Sequence, residues 1–375
     1  MFRLKTTPVV FALLALSLCS LWLWKSFRPA DTSTGTSSAP QAPVRSAAPA
    51  PDMLAPALEV FRAKPTPEAS RRELGELRLE LAALPKDEAV ARTRGFLKGG
   101  EDYPTGLSFE IGKDGKLGQW PTFRSFLLDT LLAIDPAAAA AIGREILATP
   151  TTADEWALAL RNVARGEEQT DAAFLKAKTE ELISNPGWQA KPSIGYLNAF
   201  DVLVHVGATD STPLLSGLIQ RKDRKDLAHA GFLTLDRLVQ RHPAEELALL
   251  AADRTLQQSR PEMVAQQFAR ADLRDPAQQA VVKGWMLDPA RSAAELRSFT
   301  SVYPNNNRFV SNNLLTREIS NPAAELAVHD REVLEVITAW AADPAFAPVK
   351  DPLGVMISRL NGFTGSRAAS PSSSQ

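Results

Sequence analysis

The sequence predicts an all-α fold: an α-solenoid-like array of helical hairpins, with one short β-hairpin near its start and a single transmembrane helix ahead of it. Three observations carry this reading. Residues Val9 to Trp24 (VVFALLALSLCSLWLW) are uncharged and almost wholly apolar, in a chain whose charge is otherwise mixed. Beyond Pro121 the apolar residues recur at helical spacing, with no further strand pattern. Proline follows a capping-type residue at Asp135-Pro136, Thr212-Pro213, His242-Pro243, Asp275-Pro276, Asp288-Pro289 and Asn321-Pro322. Its missing N–H costs little in a first helical turn, so this punctuation predicts many short helices joined by tight turns.

The apolar run comes first in the chain. At 16 residues it lies between a signal-peptide core and a membrane span. Arg3 and Lys5 precede it, Lys25 and Arg28 follow, and Trp22 and Trp24 suit an interface. No small-x-small cleavage site follows closely; Ser17-Leu18-Cys19 falls inside the run, which favours a retained anchor over a cleaved signal. Cys19 has Leu18 before it, where a bacterial lipoprotein signal needs a small residue, and reads as a small hydrophobe in the helix. As the sole cysteine, it excludes intrachain disulfides and cysteine-based zinc sites.

Residues 29–56 hold six prolines, seven Ser/Thr, seven alanines and only three charges, too little apolar surface to offset the entropy of ordering. This segment is predicted to be a disordered or polyproline-like linker, and residues 364–375 a disordered tail. The layout is therefore an anchor over 1–28, a linker over 29–56, a helical repeat-like domain over 57–363 and the tail. The net charge of −1 includes four basic residues and no acids in 1–28. The remainder then carries 38 basic against 43 acidic residues, which offers no electrostatic footprint for nucleic acid.

Within the domain, Leu74, Leu77, Leu81 and Leu84 form one amphipathic stripe. Thr66-Pro67 starts that helix and Pro85 stops it. A second helix ends near Gly99-Gly100. Leu107 to Ile111, then Gly112-Lys113-Asp114-Gly115, then Lys116-Leu117 predict the β-hairpin over 107–117. Thr152 to Glu155 has the form of a capping box ahead of Trp156.

Three segments share a frame: Leu128 to Pro136, Phe200 to Gly207, and Leu235 to Pro243. Offsets of about 72 and about 35 residues correspond to two units and one unit of a helical-hairpin repeat. Such units stack because none buries its apolar face alone. Pro121-Thr122-Phe123-Arg124 through Leu132 resembles the second helix of a HEAT-type repeat, a resemblance covering about residues 121–242. It implies a binding scaffold and assigns no catalytic residues.

Few residues point to chemistry. His205, His229, His242 and His329 form no close pair and no HExxH pattern, so no metal site is predicted. Asp129, Asp201 and Asp236 recur in one register. They are read as repeated carboxylates bonded to a helix terminus or an arginine, against a row that binds cations or basic peptides. The glycine-rich Gly112 to Gly118 has neither Walker nor dinucleotide spacing and reads as a turn. The cluster Arg221 to Asp226 is charge-balanced and reads as a solvated helix boundary. Tyr303, Asn305, Asn306, Asn307, Arg308 and Phe309 join aromatics, amides and a cation in one loop able to grip a peptide backbone or a sugar. No cofactor is implied. The functional expectation is a scaffold for protein–protein interaction, tethered through residues 9–24 to the inner membrane with its domain on the periplasmic side. The alternative is an envelope enzyme with a site in the helical groove, acting on glycan or peptide.

Overall fold

The computed structural model describes residues 53–308, 311–318 and 320–368. The apolar run, the linker up to Asp52 and Phe309 lie outside them. The described residues are mostly helical, as expected, with one small sheet. None of the helices described is long and apolar enough to cross a membrane.

Helices α1 (Ala55–Arg62), α2 (Pro67–Ala83) and α3 (Lys86–Lys98) open the domain. Thr66 caps α2 by accepting the Ala69 N–H, and Leu74, Leu77 and Leu81 are buried as the stripe requires. Helix α1 begins inside the stretch expected to be linker, because Leu54, Ala57, Leu58 and Phe61 are buried against the body. The hairpin follows as β1 (Glu110–Ile111) and β2 (Leu117–Gln119), antiparallel, with a register irregularity between Glu110 and Ile111. It is shorter than the apolar pattern: Leu107 and Phe109 are buried but outside the strands.

The body continues through α4 (Phe123–Ile134), α5 (Pro136–Ile146), α6 (Ala153–Gly166), α7 (Ala172–Ser184), α8 (Pro186–Ala190), α9 (Ile194–Ala199) and α10 (Asp201–Val206). Next come α11 (Thr212–Ile219), α12 (Lys225–Arg241), α13 (Pro243–Ala252), α14 (Arg254–Ser259) and α15 (Pro261–Phe268). Then follow α16 (Pro276–Met286), α17 (Ala293–Val302), α18 (Ala323–Ala342) and α19 (Lys350–Ala368). Helix α19 therefore runs past residue 363, into what the sequence reads as tail.

Each helix packs mainly on helices one to three further along the chain. Helix α4 packs on α5 and α6, α6 on α7 and α9, and α10 on α7 and α12. Beyond these, α12 packs on α13, α13 on α16, α15 on α17, and α17 on α19. The α5–α6 approach is close enough that a Cβ at Gly166 would overlap the Pro136 carbonyl. Long apolar stretches such as Phe126, Leu127, Leu128 and Leu131 are fully buried because α4 is covered on all sides.

Several proline signals mark helix starts as expected. Asp135 caps α5 through the Ala138 N–H, and Asp275 caps α16 through the N–H groups of Ala277 and Gln278. Two do not. Asp288-Pro289 begins no helix; the Asp288 carboxylate accepts the Ala290 N–H and pairs with Arg254, and α17 instead opens on a Ser292–Glu295 capping box. Asn321 caps nothing, since α18 begins two residues later without a side-chain cap. Thr152 does cap α6, but Glu155 gives Oε2 to Arg124 at 2.8 Å and keeps only a long 3.5 Å bond from the Thr152 hydroxyl at Oε1. A buried guanidinium is the stronger partner.

Candidate functional site: a carboxylate row, an internal strap and a polar cleft

The three recurring aspartates lie in one register and are all buried. Asp129 accepts the Leu117 N–H at 3.1 Å, the Trp120 indole N–H at 2.9 Å and Arg161 Nη1 at 2.6 Å. Arg161 is fully buried and also donates to the Gly115 carbonyl at 2.8 Å, so the pair fastens the hairpin to α4 and α6. Burial pushes the guanidinium down and the Asp129 charge opposes that shift. Asp236 repeats the arrangement. It accepts Arg270 Nε at 2.6 Å and Nη2 at 3.0 Å, together with the side-chain amides of Gln267 and Gln240.

Asp201, the middle member, is bonded differently. Its carboxylate accepts the backbone N–H of Leu315 at 2.8 Å, that of Thr316 at 2.9 Å, and the Thr316 hydroxyl. These residues are more than a hundred positions away in sequence. Each aspartate thus serves a structural bond, but at Asp201 the partner is a piece of irregular chain in place of an arginine.

That piece belongs to the segment between α17 and α18, which has neither helix nor strand among its described residues. It forms a strap along successive helices. Arg270 donates to the carbonyls of Asn305 (3.1 Å) and Asn307 (2.8 Å). Arg237 reaches the Ser311 hydroxyl at 2.7 Å, Arg165 the Leu314 carbonyl at 2.7 Å, and Arg241 the Arg317 carbonyl at 3.1 Å. Glu318 lies 3.7 Å from Arg237 and 3.5 Å from Arg241. At the hairpin, Asn312 donates to the Ile111 carbonyl at 3.0 Å and Arg317 pairs with Asp114. Leu314 is fully buried. Gly115, with φ of +67°, leaves room for the Leu314 carbonyl that a Cβ would overlap.

Where the strap leaves α17 it borders a polar cleft of about 340 Å³. The walls come from the ends of α12 and α13, residues 270–278, the strap and the first turns of α18. Arg274 pairs with Asp272 at 2.7 Å and with Glu332 at 3.0 Å. Burial pushes the Asp272 carboxyl up, but hydrogen bonds from Arg274 and the charges of His329 and Arg274 outweigh it and hold the group below the usual carboxylate range. His329 Nδ1 is 2.9 Å from Asp330, and its Nε2 is 3.7 Å from Asp272. Gln240 donates to Asp236 at 2.8 Å, while its Oε1 is buried without a partner. Arg308, Asn306 and Glu325 also line the cleft.

The structure divides the residues singled out in the 303–309 loop. Asn305, Asn306 and Arg308 come together at the cleft. Asn307 gives its carbonyl to Arg270 and is exposed. Tyr303 is fully buried, its ring stacked at 5.3 Å on Phe299 and its hydroxyl donating to the Ala271 carbonyl at 3.4 Å. The histidines stay apart. Burial lowers His205, with Asp201 opposing and Arg165 and Arg241 adding to the shift. The His242 ring packs against Gly207. Among the described residues no cluster of three or more His, Cys, Asp or Glu side chains is placed to hold a metal ion.

Arg161, Arg165, Arg237, Arg241, Arg270 and Gln240 carry much of this arrangement and were not singled out in the sequence. Two of them left a signal: Arg161 follows Asp129 by 32 residues and Arg270 follows Asp236 by 34, two similar spacings. No family model, curated protein or solved structure matches the chain.

Proposed function

We propose that this chain is an α-solenoid-type, HEAT-like scaffold that binds other polypeptides, held to the inner membrane by residues 9–24 with its domain on the periplasmic side. One observation carries the binding reading. The face of successive helices holds an irregular stretch of polypeptide, and several of its bonds go to main-chain groups. Main-chain bonds are what a surface uses to hold extended peptides of varied sequence, with a few side-chain pockets adding selectivity. The tether raises the local concentration of the domain near membrane-bound partners.

Purification of the full chain from solubilised membranes tests this. A reproducible protein partner that survives stringent washing is expected; its absence refutes the scaffold. Labelling of a single cysteine introduced in the linker, in intact cells, tests the side of the membrane. Protection from an impermeant reagent refutes the periplasmic placement.

A further inference from the structure

We propose that the cleft between the strap and α18 binds in trans a short extended peptide segment bearing a carboxylate, received by Arg308. The inference rests on the scaffold reading and names its binding site. It follows from which polar groups of the cleft are already committed. Arg270 directs Nε and Nη2 at Asp236 and Nη1 at two strap carbonyls, so its role is to hold the strap. Arg274 is held by Asp272 and Glu332 in the same way.

Four groups remain. Gln240 Oε1 is buried and has no donor, and its orientation is fixed because Nε2 is pinned on Asp236. Asn306, Arg308 and Glu325 line the cleft and make no hydrogen bond or ion pair among the described residues. A buried acceptor without a donor is costly, so the site favours a ligand that brings one. The complementary ligand must offer donors to Gln240 Oε1 and Glu325, and acceptors to Arg308, with Asn306 taking either. A peptide main chain alternates N–H and C=O along its length, and an acidic side chain or C-terminal carboxylate supplies the fork that a guanidinium prefers. A cleft of about 340 Å³ is at the small end of ligand sites, which suits a few residues. No Phe, Tyr or Trp is among its described lining residues, so it lacks the stacking platform that would favour a sugar ring.

The test is selection of a random heptapeptide display library on the full chain, followed by titration of the enriched peptides against wild type and variants. Enriched peptides carrying Asp, Glu or a free C-terminus are expected. Arg308→Ala should weaken their binding about tenfold or more, and Gln240→Leu by a smaller factor. Arg308→Glu should shift the selection toward basic peptides. Arg308 has no hydrogen-bond or ion-pair partner among the described residues, so its variants are expected to keep the wild-type thermal transition. Enriched peptides without acidic groups, or binding unmoved by Arg308→Ala, overturn the cleft assignment and leave the scaffold standing. Recovery of no peptide, or competition by a chitin oligosaccharide alone, also overturns it. The partner purification described above then decides the scaffold independently.

Discussion

Replacing Asp201 by asparagine tests whether the strap is held by the middle carboxylate. The native group accepts two backbone N–H bonds, at 2.8 and 2.9 Å, and one hydroxyl. Hydrogen bonds to a charged acceptor contribute about 1.5–3 kcal/mol each. Asparagine keeps one acceptor oxygen and turns an N–H group toward donors, so one or two of the three bonds are lost. The expected cost is about 2–4 kcal/mol, and it falls on the strap first, because a segment without helix or strand opens locally before the packed helices do. Opening of the strap should therefore rise about 30- to 700-fold at tenfold per 1.4 kcal/mol. Amide hydrogen exchange reads this directly at Leu315 and Thr316, with amides in α4 and α6 as the unperturbed reference. Thr316→Val removes the hydroxyl bond alone, and the double variant should lose less than the sum of the singles. Unchanged exchange at Leu315 and Thr316, or equal acceleration in α4 and α6, refutes the account of the strap as a locally held segment.

Asp129→Ala strands Arg161, fully buried, without its counter-charge. A loss of about 3–5 kcal/mol in urea denaturation is expected, with quenching changes at Trp120; a loss below 1 kcal/mol contradicts it. Glu246 on α13 is fully buried, and its carboxyl is raised to about 7 by burial first and by the Glu245 charge, against a hydrogen bond from Thr212. The folded state therefore holds this proton more tightly than the unfolded chain. Its contribution to stability is full below the unfolded value near 4.5 and is lost as pH rises to about 7, by about 3 kcal/mol in all. Glu246→Gln should flatten that part of the stability profile between pH 5 and 8, and an unchanged slope rules the assignment out. Gly115→Ala forces a Cβ onto the Leu314 carbonyl at a positive φ, and should cost more than about 1 kcal/mol and speed exchange across the strap. A neutral result there excludes the close approach.

Local rules made much of the fold legible. Thr66, Asp135 and Asp275 cap helices because each places an oxygen three residues ahead of a helical N–H, a relation readable along the chain. The failures at Asp288 and Asn321 have the same physical root. A capping residue followed by proline also suits a turn, and Asp288 makes one through Ala290 while pairing with Arg254 across helices. The shared frame of the three aspartates was visible too, since it is a spacing along the chain. What was not visible is the partner at Asp201, because bonds to Leu315 and Thr316 cross more than a hundred residues and follow no period. For the same reason the 303–309 loop read as one unit. Its aromatics and amides are adjacent in sequence, yet Tyr303 turns into the core on Phe299 while Asn306 and Arg308 turn to the cleft.

The difference between Asp201 and its two counterparts explains where the strap lies. Asp129 and Asp236 are each neutralised by an arginine one helix pair further on. At the matching offsets of 32 and 34 residues beyond Asp201 the chain has Leu233 and Leu235, and the nearby Arg237 turns to Ser311 of the strap. A buried carboxylate with no donor costs several kcal/mol, so the position demands an alternative. Backbone N–H groups meet that demand only if they belong to chain that is not already in helix or strand, since regular structure uses its own donors. The segment between α17 and α18 has such donors because its described residues form neither helix nor strand, and Arg165, Arg237 and Arg241 bond its carbonyls and a hydroxyl. Asp201, where the arginine is absent, is thus where this face holds the strap instead. A single substitution supplying the missing arginine, Thr234→Arg, should compete with Leu315 and Thr316 for Asp201 and loosen the strap in exchange measurements. Unaltered protection at both amides would show that the carboxylate is not what selects the strap.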